Sequence, residues 1–214
     1  MGDDLIPIDV ELNTDDGERL EAEFVAPADP TGAVLLAHPH PEYGGSMRAP
    51  LIDALVAGVT ASGLAALRFN FRGVGRSSGT HDGGGNERFD VAAGLAELRT
   101  RVPDGPLIAA GWSFGGDVAL AVADPAIAAW VGVAAPLMVL GPEERVAATD
   151  PRPKLLIVPD HDQFRRPAAA RDATADWAET SITEVSGDHF LAGSEAAVAA
   201  HLVDFASALT ATTA

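Results

Sequence analysis

Ser113 stands between Gly111 and Gly115, which gives the spacing G-x-S-x-G. The apolar run of residues 106–109 precedes this segment, and the helical pattern of residues 117–122 follows it. A serine at such a strand-to-helix junction is typical of a nucleophile held on a strained turn with its hydroxyl exposed. The glycines permit the turn, because a side chain at either position would collide with the neighbouring strand or helix. We therefore interpret Ser113 as a nucleophile rather than as an ordinary turn residue.

An activated serine needs a base to accept its proton and an acid to orient that base. On a scaffold of this kind the chain order is serine, acid, histidine, so both partners should lie downstream of Ser113. His189 falls between the last predicted strand and the last predicted helix, and it is the predicted base. Asp160 and Asp162 both follow the predicted strand at residues 155–158. We favour Asp162 as the acid because it lies farther past the strand end, and Asp160 remains the alternative.

The negative charge that develops during acyl transfer needs two preorganised N–H donors. One is predicted to be the backbone N–H of Phe114, because free amides at a helix start point at negative charge. The second should come from the loop after the predicted strand at residues 33–37. Within that loop Pro39 and Pro41 have no N–H, so His40 is the predicted donor of the segment.

The elements that must position these residues alternate between strands and helices from residue 33 onward, which predicts a mostly parallel, twisted sheet with helices on both faces. Residues 5–12 and 19–25 alternate apolar and polar positions around a turn, which predicts an antiparallel hairpin at a sheet edge. With this hairpin the sheet should contain about eight strands in an α/β fold, and residues 1–214 should form one domain. The other predicted strands are 33–37, 64–71, 106–109, 129–133, 155–158 and 181–185, and the predicted helices are 47–62, 87–101, 117–122, 168–179 and 194–209.

Composition limits the partners. The chain has 31 acidic and 14 basic residues and a net charge of −17, which repels nucleic acid and anionic membrane surfaces. It contains no cysteine, which excludes disulfides, thiolate metal sites and a cysteine nucleophile. No apolar stretch approaches the roughly 18 to 20 residues of a membrane span, so we expect a soluble, cytoplasmic protein. The acidic surplus, with Lys154 as the one lysine, resembles proteins from extreme halophiles.

A glycine-rich turn follows the predicted strand at residues 64–71 and invites comparison with a dinucleotide-binding loop. That fingerprint needs G-x-G-x-x-G, but Ser78 occupies the position three residues after Gly75. We therefore predict no nucleotide cofactor, and no other cofactor is expected.

Four segments together resemble the α/β-hydrolase superfamily, and in particular its small lidless members related to dienelactone-hydrolase-like and acyl-peptidase-like esterases. The segments are Gly111-Trp112-Ser113-Phe114-Gly115-Gly116, His38-Pro39-His40-Pro41 with Gly44-Gly45, residues 68–77, and Asp188-His189-Phe190. The resemblance implies the α/β-hydrolase fold, with Ser113 as nucleophile, His189 as base and Asp162 as acid. The wording His-Gly-Glu-x-x-Asp, which is common around that acid in the superfamily, is absent here.

In other members a cap domain lies between the sixth strand and the acid. Here about 20 residues span that gap, which is too few for a lid of several helices. We therefore expect an open, shallow site that takes small or exposed acyl substrates.

The predicted function is that of a serine hydrolase that cleaves a carboxylic ester or thioester through an acyl-enzyme. One alternative is a metal-dependent hydrolase that uses His38, His40 and the segment Asp160-His161-Asp162, because imidazoles and carboxylates there follow strands of the same sheet. A second alternative is a hydrolase-fold binding module without catalytic activity.

Overall fold

The computed structural model describes residues 5–213, which contain an eight-stranded sheet with the spatial order β1-β2-β4-β3-β5-β6-β7-β8. The strands are β1 (Ile8–Asn13), β2 (Arg19–Val25), β3 (Ala33–Ala37), β4 (Ala65–Phe69), β5 (Leu107–Trp112), β6 (Ile127–Val133), β7 (Lys154–Pro159) and β8 (Thr180–Val185). The helices are α1 (Pro50–Ala61), α2 (Glu87–Arg101), α3 (Phe114–Ala119), α4 (Pro167–Ala173) and α5 (Glu195–Thr213). Strand β1 pairs antiparallel with β2, and β2 with β4, whereas the other neighbours are parallel. The predicted α/β fold class is confirmed.

Two apolar cores lie on the two faces of this sheet, and the strand sequences explain why. In β3 every residue is buried, with Leu35 facing the core beneath α2 and α3 and Leu36 facing the core beneath α1 and α5. Successive side chains of a strand point to opposite faces, so a strand covered on both sides must be apolar throughout. The uninterrupted apolar runs therefore mark the central strands. In the described part of the chain, no helix combines the length and apolarity needed to cross a bilayer.

The boundaries of several elements differ from the predicted ones. Helix α1 begins at Pro50 instead of residue 47, because a proline suits the first helical turn and its ring keeps Ala49 in an extended conformation. Helix α3 begins at Phe114, directly after the serine, instead of at residue 117. Helix α4 ends at Ala173, well short of residue 179, whereas α5 continues beyond residue 209 to Thr213.

A buried arginine fastens the loop after β4 to two other parts of the fold. Arg72 donates to Asp90 Oδ1 on α2 at 2.6 Å and to Asp16 Oδ2 in the β1–β2 turn at 2.7 Å. The side chains of Arg72 and Asp90 are 4% and 0% exposed. A buried charge without its partner is far more costly than the intact pair, so this contact fixes where the glycine-rich loop leaves the sheet.

Replacing Asp90 with alanine should therefore lower the free energy of unfolding by about 3 kcal/mol, because Arg72 would be left partly uncompensated in the core. Urea denaturation measures the loss. The matched control is Glu97→Ala, which removes the partly exposed pair between Glu97 and Arg101 on the same helix and should cost no more than about 0.5 kcal/mol. Equal losses in the two variants would contradict the role of Arg72.

Candidate active site

Ser113 occupies the turn between β5 and α3 in a strained backbone conformation. Its φ of 54° lies in the left-handed region, which non-glycine residues rarely adopt. A Cβ on Gly111 would lie 2.3 Å from the carbonyl carbon of Gly115, and a Cβ on Gly115 would lie 2.4 Å from the carbonyl oxygen of Ala37. These glycines therefore let α3 approach β5 and β3 closely enough for the turn to form. The backbone N–H of Ser113 donates to Val133 O at 2.8 Å, which ties the turn to β6.

The structure brings Ser113, His189 and Asp162 into one hydrogen-bonded chain. Ser113 Oγ lies 2.7 Å from His189 Nε2, and His189 Nδ1 lies 2.9 Å from Asp162 Oδ2. The second oxygen of Asp162 accepts the N–H groups of Phe164 and Arg165 at 2.7 and 3.2 Å. With Asp162 as the acceptor, the imidazole proton lies on Nδ1 and Nε2 can accept from the serine hydroxyl. Asp162 is buried, as is His189 at 6% exposed.

The alternative acid, Asp160, lies apart from this chain. Its Oδ1 accepts the N–H of Gly187 at 2.9 Å and lies 2.6 Å from His161 Nδ1. The Gly187 N–H and the His161 contact both lower the pKa of Asp160. Asp160 thus ties the loop after β7 to the loop after β8, which carries His189.

Several neighbours hold the backbone and the ring of His189 in place. Trp112 Nε1 donates to His189 O at 3.2 Å, and Gln163 Oε1 lies 3.4 Å from the His189 N–H. The rings of Phe164 and Phe190 meet the imidazole edge-on, with centroids 4.5 and 5.9 Å away. The sequence pattern did not identify Trp112, Gln163 or Phe164 as residues that support His189. Their contacts with His189 join loops that are distant in the chain.

The two predicted oxyanion donors belong to adjacent segments. Phe114 is the first residue of α3, so its N–H has no acceptor within the helix. His40 lies in the loop after β3, and its ring packs 5.1 Å from the Phe114 ring. The carbonyl oxygen of His40 accepts the N–H groups of Tyr43 and Gly45, both at 3.1 Å, and these bonds hold the loop.

His38, which precedes this loop, is buried and fully engaged in hydrogen bonds. Its Nδ1–H donates to Pro39 O at 2.6 Å, and its Nε2 accepts the N–H of Phe71 at 3.1 Å. Burial lowers the pKa of His38 to about 4. Both ring nitrogens thus brace the backbone, so His38 cannot serve as a metal ligand without breaking one of these bonds.

The metal site suggested by the sequence is not assembled. Among residues 5–213, one group of three histidine and carboxylate side chains is close enough to share an ion. It consists of His40, Glu42 and His81, and it includes neither His38 nor the segment Asp160-His161-Asp162. His81 lies in the loop between β4 and α2, and its position next to His40 was not apparent from the sequence.

A cavity of about 810 Å³ opens over Ser113 and His189. Most of its walls are apolar, and several large apolar side chains at its mouth are exposed. These are Tyr43, Met138, Phe164 and Phe190. The connection from β6 to β7, residues 134–153, contains two short 3₁₀ turns and no long helix, so it forms no multi-helix cap. An apolar cavity of this size suits an organic group of several carbon atoms.

Asp117 positions the part of this wall that follows β6. It is fully buried on α3, and it accepts the N–H groups of Leu137, Met138 and Val139 at 2.8 to 2.9 Å. Burial raises the pKa of Asp117, and the three N–H groups oppose that rise. An acid in the first turn of the nucleophile helix therefore anchors the loop opposite.

The fold and this site find counterparts among known proteins. No protein-family model matches the sequence. A solved structure of an α/β serine hydrolase homologue from Coxiella burnetii is similar, with a TM-score of 0.80 and 26% identity over 92% of this chain and 96% of that one. A lidless α/β serine hydrolase from Xanthomonas campestris has a TM-score of 0.79 and 24% identity, over 92% and 91% of the two chains. An esterase from Pyrococcus furiosus has a TM-score of 0.82 at 16% identity, over 96% and 94%. At their identities the last two show the fold alone.

One curated relative is similar in sequence. Over 104 residues the chain is 34% identical to an uncharacterized protein from Rickettsia prowazekii. The match covers 48% of this chain and 44% of that protein, so the chain spans less than half of the relative's length. Taken together, the likenesses show that the chain has the α/β-hydrolase fold, and they support a place in that superfamily.

The burial of His38 predicts a pH dependence of stability. Because its pKa in the folded chain, about 4, lies below the ordinary 6.5, the unfolded chain binds the proton more readily between these values. The contribution of His38 should thus be fully present at pH 7 and decrease as the pH falls from about 6.5 towards 4. Between pH 7 and pH 5 it should decline by about 2 kcal/mol.

Urea denaturation at both pH values, compared between the native chain and His38→Gln, isolates this contribution. Glutamine can still accept the Phe71 N–H but does not titrate. Between pH 7 and pH 5 the free energy of unfolding of the variant should fall by about 2 kcal/mol less than that of the native chain. The same pH dependence in both chains would contradict the assignment.

Proposed function

We propose that this protein is a serine hydrolase that transfers the acyl group of an ester or thioester to water. The observation that carries the proposal is the chain from Ser113 Oγ through His189 to Asp162, with separations of 2.7 and 2.9 Å. These separations are within hydrogen-bonding range, so a proton can pass between serine and histidine without rearrangement.

In the first step Ser113 Oγ attacks the carbonyl carbon while His189 Nε2 takes the hydroxyl proton. The N–H groups of Phe114 and His40 stabilise the oxyanion of the tetrahedral intermediate. The C–O or C–S bond then breaks, and His189 returns the proton to the departing alcohol or thiol. In the second half His189 takes a proton from water, which attacks the acyl-enzyme, and the acid leaves as Ser113 regains its proton.

Asp162 orients the imidazole and stabilises its charged form during both halves. Two backbone N–H groups keep one carboxylate oxygen of Asp162 in place while the other faces His189. The solved structure described as an α/β serine hydrolase homologue supports this class of reaction at a coarse level.

The lining of the cavity favours a small organic acyl substrate. Apolar side chains such as Tyr43, Met138 and Phe190 surround the opening, which suits an uncharged group. The net charge of −17 disfavours anionic substrates as well as nucleic acid. Neither the metal-dependent mechanism nor a binding role without catalysis is favoured by a specific contact in the site.

A fluorophosphonate tests whether the serine is activated, because it captures serines that attack phosphorus. Incubation in molar salt, which screens repulsion among the many carboxylates, should give a single adduct that maps to Ser113 by mass spectrometry of the intact and digested protein. Ser113→Ala should give no adduct and should lower ester hydrolysis by roughly 10⁴-fold or more. EDTA should change neither result. A native chain that stays folded but forms no adduct would exclude the mechanism.

Two aspartate variants test the acid. Asp162→Asn should lower kcat by roughly 10⁴-fold, because an amide no longer fixes the productive tautomer of His189. The matched control is Asp160→Asn, two residues earlier on the same loop, where the amide oxygen can still accept the Gly187 N–H. Steady-state hydrolysis of a short-chain aryl ester provides the comparison. A greater loss in Asp160→Asn would reassign the acid.

A further inference from the structure

Three potential metal ligands converge around His40, which lines the cavity, and none of their side chains takes part in acyl transfer. His40 and Glu42 come from the loop after β3, and His81 comes from the loop between β4 and α2. One ligand atom from each lies within 4.8 Å of those from the other two. The two imidazole rings are 4.8 Å apart, and each lies 5.1 Å from the ring of Phe114.

A second observation concerns the orientation of His81. Its Nδ1 lies 2.6 Å from Oε1 of Glu87, a carboxylate that is completely buried. Glu87 also accepts the N–H groups of Asp82 and Gly84 at 3.0 and 2.8 Å, so its own position is fixed. A histidine that donates from one ring nitrogen to a buried carboxylate presents the other nitrogen as a lone pair. The same arrangement orients metal-ligating histidines in many proteins.

His40 and Glu42 are also well placed to bind an ion. Pro39 and Pro41 fix the backbone on both sides of His40. The ring nitrogen Nδ1 of His40 accepts the Glu42 N–H over a long 3.3 Å, and ligation through Nδ1 would replace this weak bond. The Glu42 side chain is exposed and can rotate towards the two imidazoles.

We propose that His40, Glu42 and His81 bind a divalent transition-metal ion of the zinc type. Two imidazoles and one carboxylate are a donor set that zinc and its neighbours prefer, whereas Mg²⁺ and Ca²⁺ prefer oxygen ligands. Zinc bonds to these atoms are about 2.0 to 2.2 Å long, so the ligand atoms need to draw together from their separation of up to 4.8 Å.

Such an ion would tie together two loops whose histidine rings pack against each other and against the ring of Phe114. One of them carries the His40 N–H, and the other is anchored by Glu87 at the start of α2. The role of the ion is to stabilise these loops, because its ligands act through side chains that take no part in acyl transfer. The proposal therefore does not depend on the catalytic mechanism.

Isothermal titration of the full chain with ZnCl₂, after treatment with EDTA and dialysis, tests the site. The native chain should bind one Zn²⁺ ion, and MgCl₂ should not compete. His81→Gln and Glu42→Gln should each weaken Zn²⁺ binding by at least about 10-fold, the lower end of the loss when even an outer partner of a ligand is removed. The matched control is His161→Gln, which changes an exposed histidine outside the cluster and should bind Zn²⁺ as the native chain does.

Thermal unfolding measures the effect of Zn²⁺ on stability, and this measurement does not depend on hydrolytic activity. Zn²⁺ should raise the Tm of the native chain and of His161→Gln, but not that of His81→Gln. Should His81→Gln fail to fold, Glu42→Gln decides the question, because that side chain is exposed. Undiminished binding in Glu42→Gln, or no saturable binding by the native chain, would overturn the proposal.

Discussion

The backbone of Ser113 can keep its left-handed conformation because α3 packs closely against β5 and β3. The residues at the points of contact are glycines, which have no side chain. A φ of 54° at a serine costs about 1 to 3 kcal/mol, so the surrounding structure must enforce it. Gly111 and Gly115 allow that enforcement, since a Cβ on either would overlap a main-chain atom. The buried side chains of Phe114 and Val118 then hold the helix against the sheet. The placement of the Ser113 hydroxyl at the cavity and of the Phe114 N–H at the start of α3 both depend on this contact.

Buried carboxylates hold the loops around that turn. Asp117 accepts three backbone N–H groups from the loop after β6, and Glu87 accepts two from the loop before α2. Asp162 does the same in its own loop while it also faces His189. Hydrogen bonds from N–H groups to a carboxylate are stronger than those to a neutral acceptor, so a few side chains can order long irregular segments. The loops at this edge of the sheet are thus fixed without a covering domain.

Much of this architecture follows from sequence patterns. Uninterrupted apolar runs such as β3 mark the central strands, because both of their faces are covered. Chain order and strand ends select Ser113 and His189 and favour Asp162 over Asp160 as the acid. The structure brings Ser113, His189 and Asp162 within hydrogen-bonding distance, while their catalytic roles stay predictions. Helix α4 was predicted too long, since helical periodicity in the sequence does not reveal where tertiary packing ends a helix.

Contacts between distant loops could not be predicted in this way. The meeting of His81 with His40 joins residues far apart in the chain, and neither residue carries a local signal for the other. The same is true of Asp117, whose three hydrogen bonds reach about twenty residues ahead. His38 lies in a histidine-containing motif that suggested a metal ligand, yet both of its ring nitrogens form hydrogen bonds with backbone groups. Residue type alone does not distinguish a histidine that supports the fold from one that faces a ligand.

The four exposed side chains at the cavity mouth belong to separate loops, and this arrangement bears on how the protein can evolve. Tyr43 and Met138 are 87% and 64% exposed, so they contribute little to the core and can be exchanged at small cost in stability. Phe164 and Phe190 also flank the imidazole of His189, so changes there disturb the base as well. Two of the four residues, Tyr43 and Met138, therefore tolerate substitution, whereas Phe164 and Phe190 are constrained by their contact with His189. Adaptation to a new substrate can proceed through substitutions at Tyr43 and Met138, while Phe164 and Phe190 keep the imidazole of His189 in position.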